Sequence, residues 1–376
     1  MADESSTGDY AGRMAIADYI EGFRAGGDPI TARWIIDQAT RHGDWQFIAD
    51  VITVIHGDGT AMRPEWDEVE LARYASRQLV RGSDAERVHV AAGAVLMGSG
   101  IEGSECLAKH LVKEYPPELL GVMFAGQADQ HDRAVVLEAL LQEMIIQGLQ
   151  PHLDANVRVW LTNGRDPSAA AVLPPYAVSF EYGFEGSEPV DRSGGVGVFI
   201  ANALRVRGAA RTTPFRIVSV RLHDQRATAP FKWLRAEAAR ITTDRPLADS
   251  EVLSALIAAE VGALRGADSE DDVSLVKINA HLAWCALYDA ATDGGAYPPR
   301  HGPAIGRTSA LDAMRGLLRL DPSTAPELVA ASAAVCTWFT FEADTEWYEG
   351  DGWDVGLVCL SSDRTELGVV AATDTD

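Results

Sequence analysis

Between Asp293 and Arg307 the chain reads Asp-Gly-Gly-Ala-Tyr-Pro-Pro-Arg-His-Gly-Pro-Ala-Ile-Gly-Arg, with Tyr297, Arg300, His301 and Arg307 as its chemically capable side chains. Glycine and proline shape such a backbone from within, without a strand or helix ladder. The spacing predicts a helix over 309–320 just after it, whose free N–H groups and macrodipole would favour an anion. In that arrangement Arg300 and Arg307 act as anion clamps, His301 as an acid/base group and Tyr297 as an orienting group. The competing reading is that the arginines pair as structural clips with acids such as Asp312 or the C-terminal carboxylates.

Other patterns carry less. Gly98, Gly100 and Gly103 fit G-x-G-x-x-G, but the run before them opens with a capping box, Ser83 to Glu86, and is rich in alanine. That favours helix-turn-helix over a nucleotide loop, which needs a preceding strand. His281, Cys285 and Asp289 recur one helical turn apart and could ligate a metal only if further ligands converged on them. No matching set exists elsewhere in the chain, so a buried, satisfied histidine is the better expectation, and no metal or cofactor is implied. His152 with Asp154, and His223 with Asp224, are weaker still. The chain holds no G-x-S-x-G, G-x-x-x-x-G-K-[ST] or H-E-x-x-H motif. Trp338, Trp347 and Trp353 read first as core, with Trp347, Trp353 and Asp354 as secondary ligand candidates.

The stretch Trp338-Phe339, Trp347, Trp353-Asp354-Val355-Gly356-Leu357-Val358-Cys359-Leu360 and the closing Ala372-Thr-Asp-Thr-Asp376 resemble a family of uncharacterised actinobacterial proteins classed as a domain of unknown function. Gly294-Gly-Ala-Tyr297, Gly302 and Gly306-Arg307 are similar to that family too. The resemblance covers the last third of the chain and implies no activity or cofactor.

The elements that must position these groups fall into two patterns. From Met14 to about Leu161 apolar residues recur at helical spacing, as at Leu137, Leu140, Leu141, Met144 and Ile145. After Asn163 to Ser168 the period changes. Tyr176, Val178, Phe180, Tyr182 and Phe184 alternate, which predicts a strand, and a second strand is expected over 215–222. Helices are expected from an N-cap at Asp249 through Leu264, and over 273–290, followed by strands over 338–341, 353–360 and 367–372 with a turn at Ser361 to Arg364. The expected fold class is α+β: a helical, irregular solenoid-like domain over 1–165, then an α+β domain over 166–376 with a small, mainly antiparallel sheet.

A chain of 376 residues exceeds what one core usually supports. Its 55 acidic against 32 basic residues leave a net charge of −23, which repels phosphate backbones and anionic membrane surfaces, so neither nucleic acid nor membrane is expected as a partner. Four scattered cysteines without a C-x-x-C pair, and an N-terminus without a cationic, apolar leader, predict a cytoplasmic protein with reduced thiols. The expected function is that of a non-enzymatic binding or regulatory protein whose helical half meets a protein partner. The alternative is a small anionic ligand, bound or turned over at 293–307, and whether the chain is an enzyme stays open.

Overall fold

The computed structural model describes residues 29–57, 115–125, 131–165, 173–181, 214–222, 225–231, 235–267, 272–293, 303–348 and 354–373, with isolated positions between 19 and 23 and between 71 and 113. The chain divides into two compact units, Met1–Ala170 and Ala171–Asp376. The Gly98 to Gly103 motif and the Ser83 capping box lie outside the described residues.

Every regular element described in the first unit is a helix. Helix α1 spans Pro29–His42, α2 Trp45–Gly57, α3 Pro117–Val122, α4 His131–Ile146 and α5 Ala155–Asn163. Proline at the first position of α1 and α3 removes an N–H that would have no partner there. Asp154 caps α5 by accepting the backbone N–H groups of Asn156 and Val157. Leu137, Leu140, Leu141, Met144 and Ile145 are all buried on α4, as their spacing predicted.

The second unit is built on one six-stranded antiparallel sheet in the order β1-β2-β6-β5-β4-β3. The strands are β1 Ile217–Leu222, β2 Arg235–Thr243, β3 Val273–Ile278, β4 Thr337–Ala343, β5 Val355–Leu360 and β6 Glu366–Thr373. The helices are α6 Val252–Ala258, α7 Ala280–Asp293, α8 Pro303–Leu318 and α9 Pro326–Val335. One sheet face, with Ile241, Leu275, Phe339, Phe341, Val358, Leu360, Leu367 and Val369, packs against the segment from Leu247 to Ala267 that contains α6. Helices α7 and α8 cover the other face. There the backbone of α8 comes so close that a Cβ on Gly368 would meet the Leu317 carbonyl oxygen at 2.5 Å. Only glycine fits that approach.

Several expected elements differ. The helix expected over 273–290 is strand β3 followed by α7, because the Asn279 side chain accepts the Leu282 N–H and starts a helix only there. Asp249 does not cap a long helix: its carboxylate binds Lys277 and Arg364, α6 ends at Ala258, and Leu264 sits in a separate tight turn. The described part of the strand expected over 176–184 is a loop with a turn closed by the Glu181 N–H and the Val178 carbonyl. Tyr182 and Phe184 lie outside the described residues. Helix α8 starts at Pro303, six residues before the expected start at Ser309. That shift changes the meaning of Arg307.

Candidate functional site

Arg307 lies inside α8, not ahead of it, and its side chain is completely buried. Its guanidinium forks onto Glu181: Nε donates to Oε1 at 2.8 Å and Nη2 to Oε2 at 2.6 Å. The rest of the fork reaches backward into the same loop, with Nη1 donating to the Pro174 carbonyl at 3.4 Å and Nη2 to that of Tyr176 at 3.2 Å. Glu181 also accepts the Val178 N–H at 2.7 Å. Bidentate pairing suits the planar fork, and the extra donor further satisfies the buried carboxylate. Next to Arg307, a Cβ on Gly306 would meet Thr292 Cγ2 at 2.4 Å, so glycine lets α8 close on α7 while arginine holds the loop.

The residue before Glu181 works on the other helix. His281, on α7, places Nδ1 2.7 Å from the Phe180 carbonyl, so Nδ1 carries the proton and donates it. In the neutral ring Nε2 is then an acceptor, and the Cys285 sulfur stands 3.5 Å away, one turn along the same helix. A thiol, an acceptor imidazole and a carbonyl that orients the ring form the nucleophile-and-base geometry of thiol chemistry. Cys285 is, however, only 6% exposed, while His281 is half-buried at the start of α7. Among the described residues no group of His, Cys, Asp or Glu could hold a metal ion.

Of the other candidates, Tyr297, Arg300, His301 and Trp353 lie outside the described residues. Trp347 is buried, edge-on to Tyr348 with ring centres 4.9 Å apart, and carries the Arg235 guanidinium over its face at 5.2 Å. Asp354, half-buried, immediately precedes β5. The neighbouring Tyr348 phenol is held well above its usual range, first by burial and then by the negative charges of Asp354, Glu237 and Glu342. It stays neutral and donates to the Val355 carbonyl. Glu237 in turn accepts the Ala263 N–H, so this end of the sheet is knit together by its polar groups. Trp338 is core, its indole N–H donating to the Ala333 carbonyl at 3.0 Å.

Glu181 is the residue that reading the sequence missed. It lies 126 positions from Arg307, in a stretch whose alternation read as a strand. Its only local signal was a carboxylate in an apolar pattern, where an unpaired charge would be costly.

A family model described as a family of unknown function, DUF6183, matches residues 31–376, far more than the last third on which the resemblance rested. No curated protein and no solved structure matches the chain.

Proposed function

The chain belongs to this family of unknown function, and from that premise we propose that it is a non-enzymatic binding or regulatory protein whose helical unit carries the partner surface. The observation that carries the reading is on α1. Ala32, Ile36 and Ala39 face inward, while Ile30 and Trp34, one turn apart, are 77% and 52% exposed. Isolated exposed apolar residues are ordinary, but tryptophan is the residue most enriched at binding hot spots and here it has an aliphatic neighbour at i−4. The acidic chain would favour a partner with a basic rim around an apolar pocket.

The alternative, an anionic ligand at 293–307, loses one of its two arginines, since Arg307 is committed to Glu181. Tyr297, Arg300 and His301 would have to hold such a ligand without it.

A photo-reactive benzoylphenylalanine in place of Trp34 tests the proposal in the full chain in its host cell. The expected result is a discrete adduct that disappears when Ile30→Asp is added and is not seen from the same probe at Val159, another exposed apolar position of this unit. Equal labelling from both positions, or labelling indifferent to Ile30→Asp, would overturn it.

A further inference from the structure

Cys336 closes α9 and leads into β4 in an extended conformation, with φ −87° and ψ 159°. The β4–β5 register pairs Thr337 with Leu360 and Trp338 with Cys359. Side chains alternate along a strand, so Cys336 shares its sheet face with Trp338 and with Cys359 on the adjacent strand. The register makes the two side chains diagonal neighbours across the β4–β5 pair, at the end of the sheet where the β5–β6 turn begins. Their environments differ. Cys359 is 3% exposed, and burial, followed by the hydrogen bond it gives to Cys336, pushes its thiol well up. Cys336 is half-buried at the sheet end, and the Cys359 donor, with help from the Ser362 amide, brings its thiol below the usual range against burial and the nearby Asp363 carboxylate.

We propose that Cys336 and Cys359 form a redox-active dithiol that a hydroperoxide converts into an intramolecular disulfide, with Cys336 attacking and Cys359 resolving. In the first step the Cys336 thiolate displaces an alkoxide from the peroxide: an S–O bond forms, the O–O bond breaks, and the alkoxide takes a proton to leave as an alcohol, or as water from hydrogen peroxide. In the second, the Cys359 sulfur attacks the sulfenic sulfur, an S–S bond forms, and the hydroxyl leaves with the Cys359 proton as water. Two thiols lose two electrons and the peroxide gains them. This ordering follows from thiolate character and access, both of which favour Cys336. The same chain holds a comparison thiol, since Cys285 is buried beside His281 on α7.

The test uses the full-length protein, reduced, desalted and titrated with hydrogen peroxide, with peptide mapping by mass spectrometry. The expected product has lost two hydrogens and yields a linked Cys336–Cys359 peptide. In Cys359→Ser, dimedone should trap a sulfenic acid on Cys336. In Cys336→Ser, Cys359 should oxidise at least about tenfold more slowly, as a buried thiol without a low-pKa partner does. Because either variant could fold poorly, the unsubstituted protein gives an independent reading: iodoacetamide at pH 7 should alkylate Cys336 roughly tenfold or more before Cys285. Preferential oxidation of Cys285, or stepwise oxidation of Cys336 to sulfinic acid with no linked peptide, would overturn the proposal.

Discussion

Arg165 in the helical unit and Arg307 in the α+β unit each grip a glutamate with two parallel hydrogen bonds, yet the two pairs differ in depth and in reach. Arg165 binds Glu138 from 27 positions away, at 2.8 and 2.7 Å, with the side chains 4% and 9% exposed. Arg307 binds Glu181 across 126 positions, at 2.8 and 2.6 Å, with 0% and 1% exposed. The first pair joins the turn after α5 to α4, two elements close in sequence, and Glu138 has the Gln142 amide as a second donor on its own helix. The second pins a segment without regular structure onto α8 with four hydrogen bonds from one guanidinium. The same chemistry is thus a local brace in one unit and a long-range clip in the other. Depth decides what removing one partner should cost, because water reaches the first carboxylate and not the second.

The largest effect is expected from Arg307→Ala, which leaves Glu181 buried without its counter-charge. Breaking such a pair costs about 3–5 kcal/mol. At about 2–4 °C per kcal/mol for a domain of this size, the melting transition should fall by roughly 6–20 °C in phosphate-free buffer, as read by calorimetry. A fall of only a few degrees, together with loss of phosphate-induced stabilisation, would instead make Arg307 part of a ligand site. The double substitution Arg307→Met with Glu181→Leu should recover most of that loss, because it removes both charges while keeping apolar volume. Failure of the recovery would show that the carbonyls of Pro174 and Tyr176, left without their donor, matter more than the charge pair.

Arg165→Ala should cost less, about 1–3 kcal/mol, the penalty for an incompletely satisfied buried acceptor. A loss as large as that of Arg307→Ala would break the argument from depth. Smallest is Asp249→Asn, at the half-exposed network where Asp249, 34% exposed, holds both Lys277 and Arg364. Burial would raise the Asp249 carboxyl, but the hydrogen bonds from Lys277 and Arg364 outweigh it and hold it below the usual range. A lowered folded-state value stabilises the protein above the unfolded value, about pH 4, and that stability is lost as pH falls through the folded value. The gap between wild type and Asp249→Asn should therefore be full at pH 7, under about 1 kcal/mol after screening, and should close in acid. A gap that widened on acidification would reverse the assignment.

Strands β4 to β6 were legible because short apolar runs flank turn residues at Ser361 to Arg364, and Arg364 takes the left-handed φ of 64° that such a turn uses. Strand β2 was not, since Arg235, Glu237 and Arg240 interrupt its apolar pattern although β1 and β6 pair it on both sides. The Tyr176 alternation misled for a different reason. A strand needs neighbours for its backbone groups, and here side chains take that role: Arg307 serves the Pro174 and Tyr176 carbonyls, His281 serves Phe180, and Glu181 accepts the Val178 N–H.

Periodicity, turn chemistry and charge are local properties, so composition and spacing alone determined the helical first part, the mixed second part with its antiparallel C-terminal strands, and the acidic surface. They also singled out Arg307 as a cation in need of a partner. Which of 55 acidic residues would meet it was decided only by the tertiary structure, because helix α8 begins at Pro303 and carries Arg307 into the interior, where Glu181 arrives from a loop far upstream. The meeting of Cys336 with Cys359 has the same origin. No spacing between two cysteines announces that a helix end and a strand end will share one face of a sheet; strand register places them there.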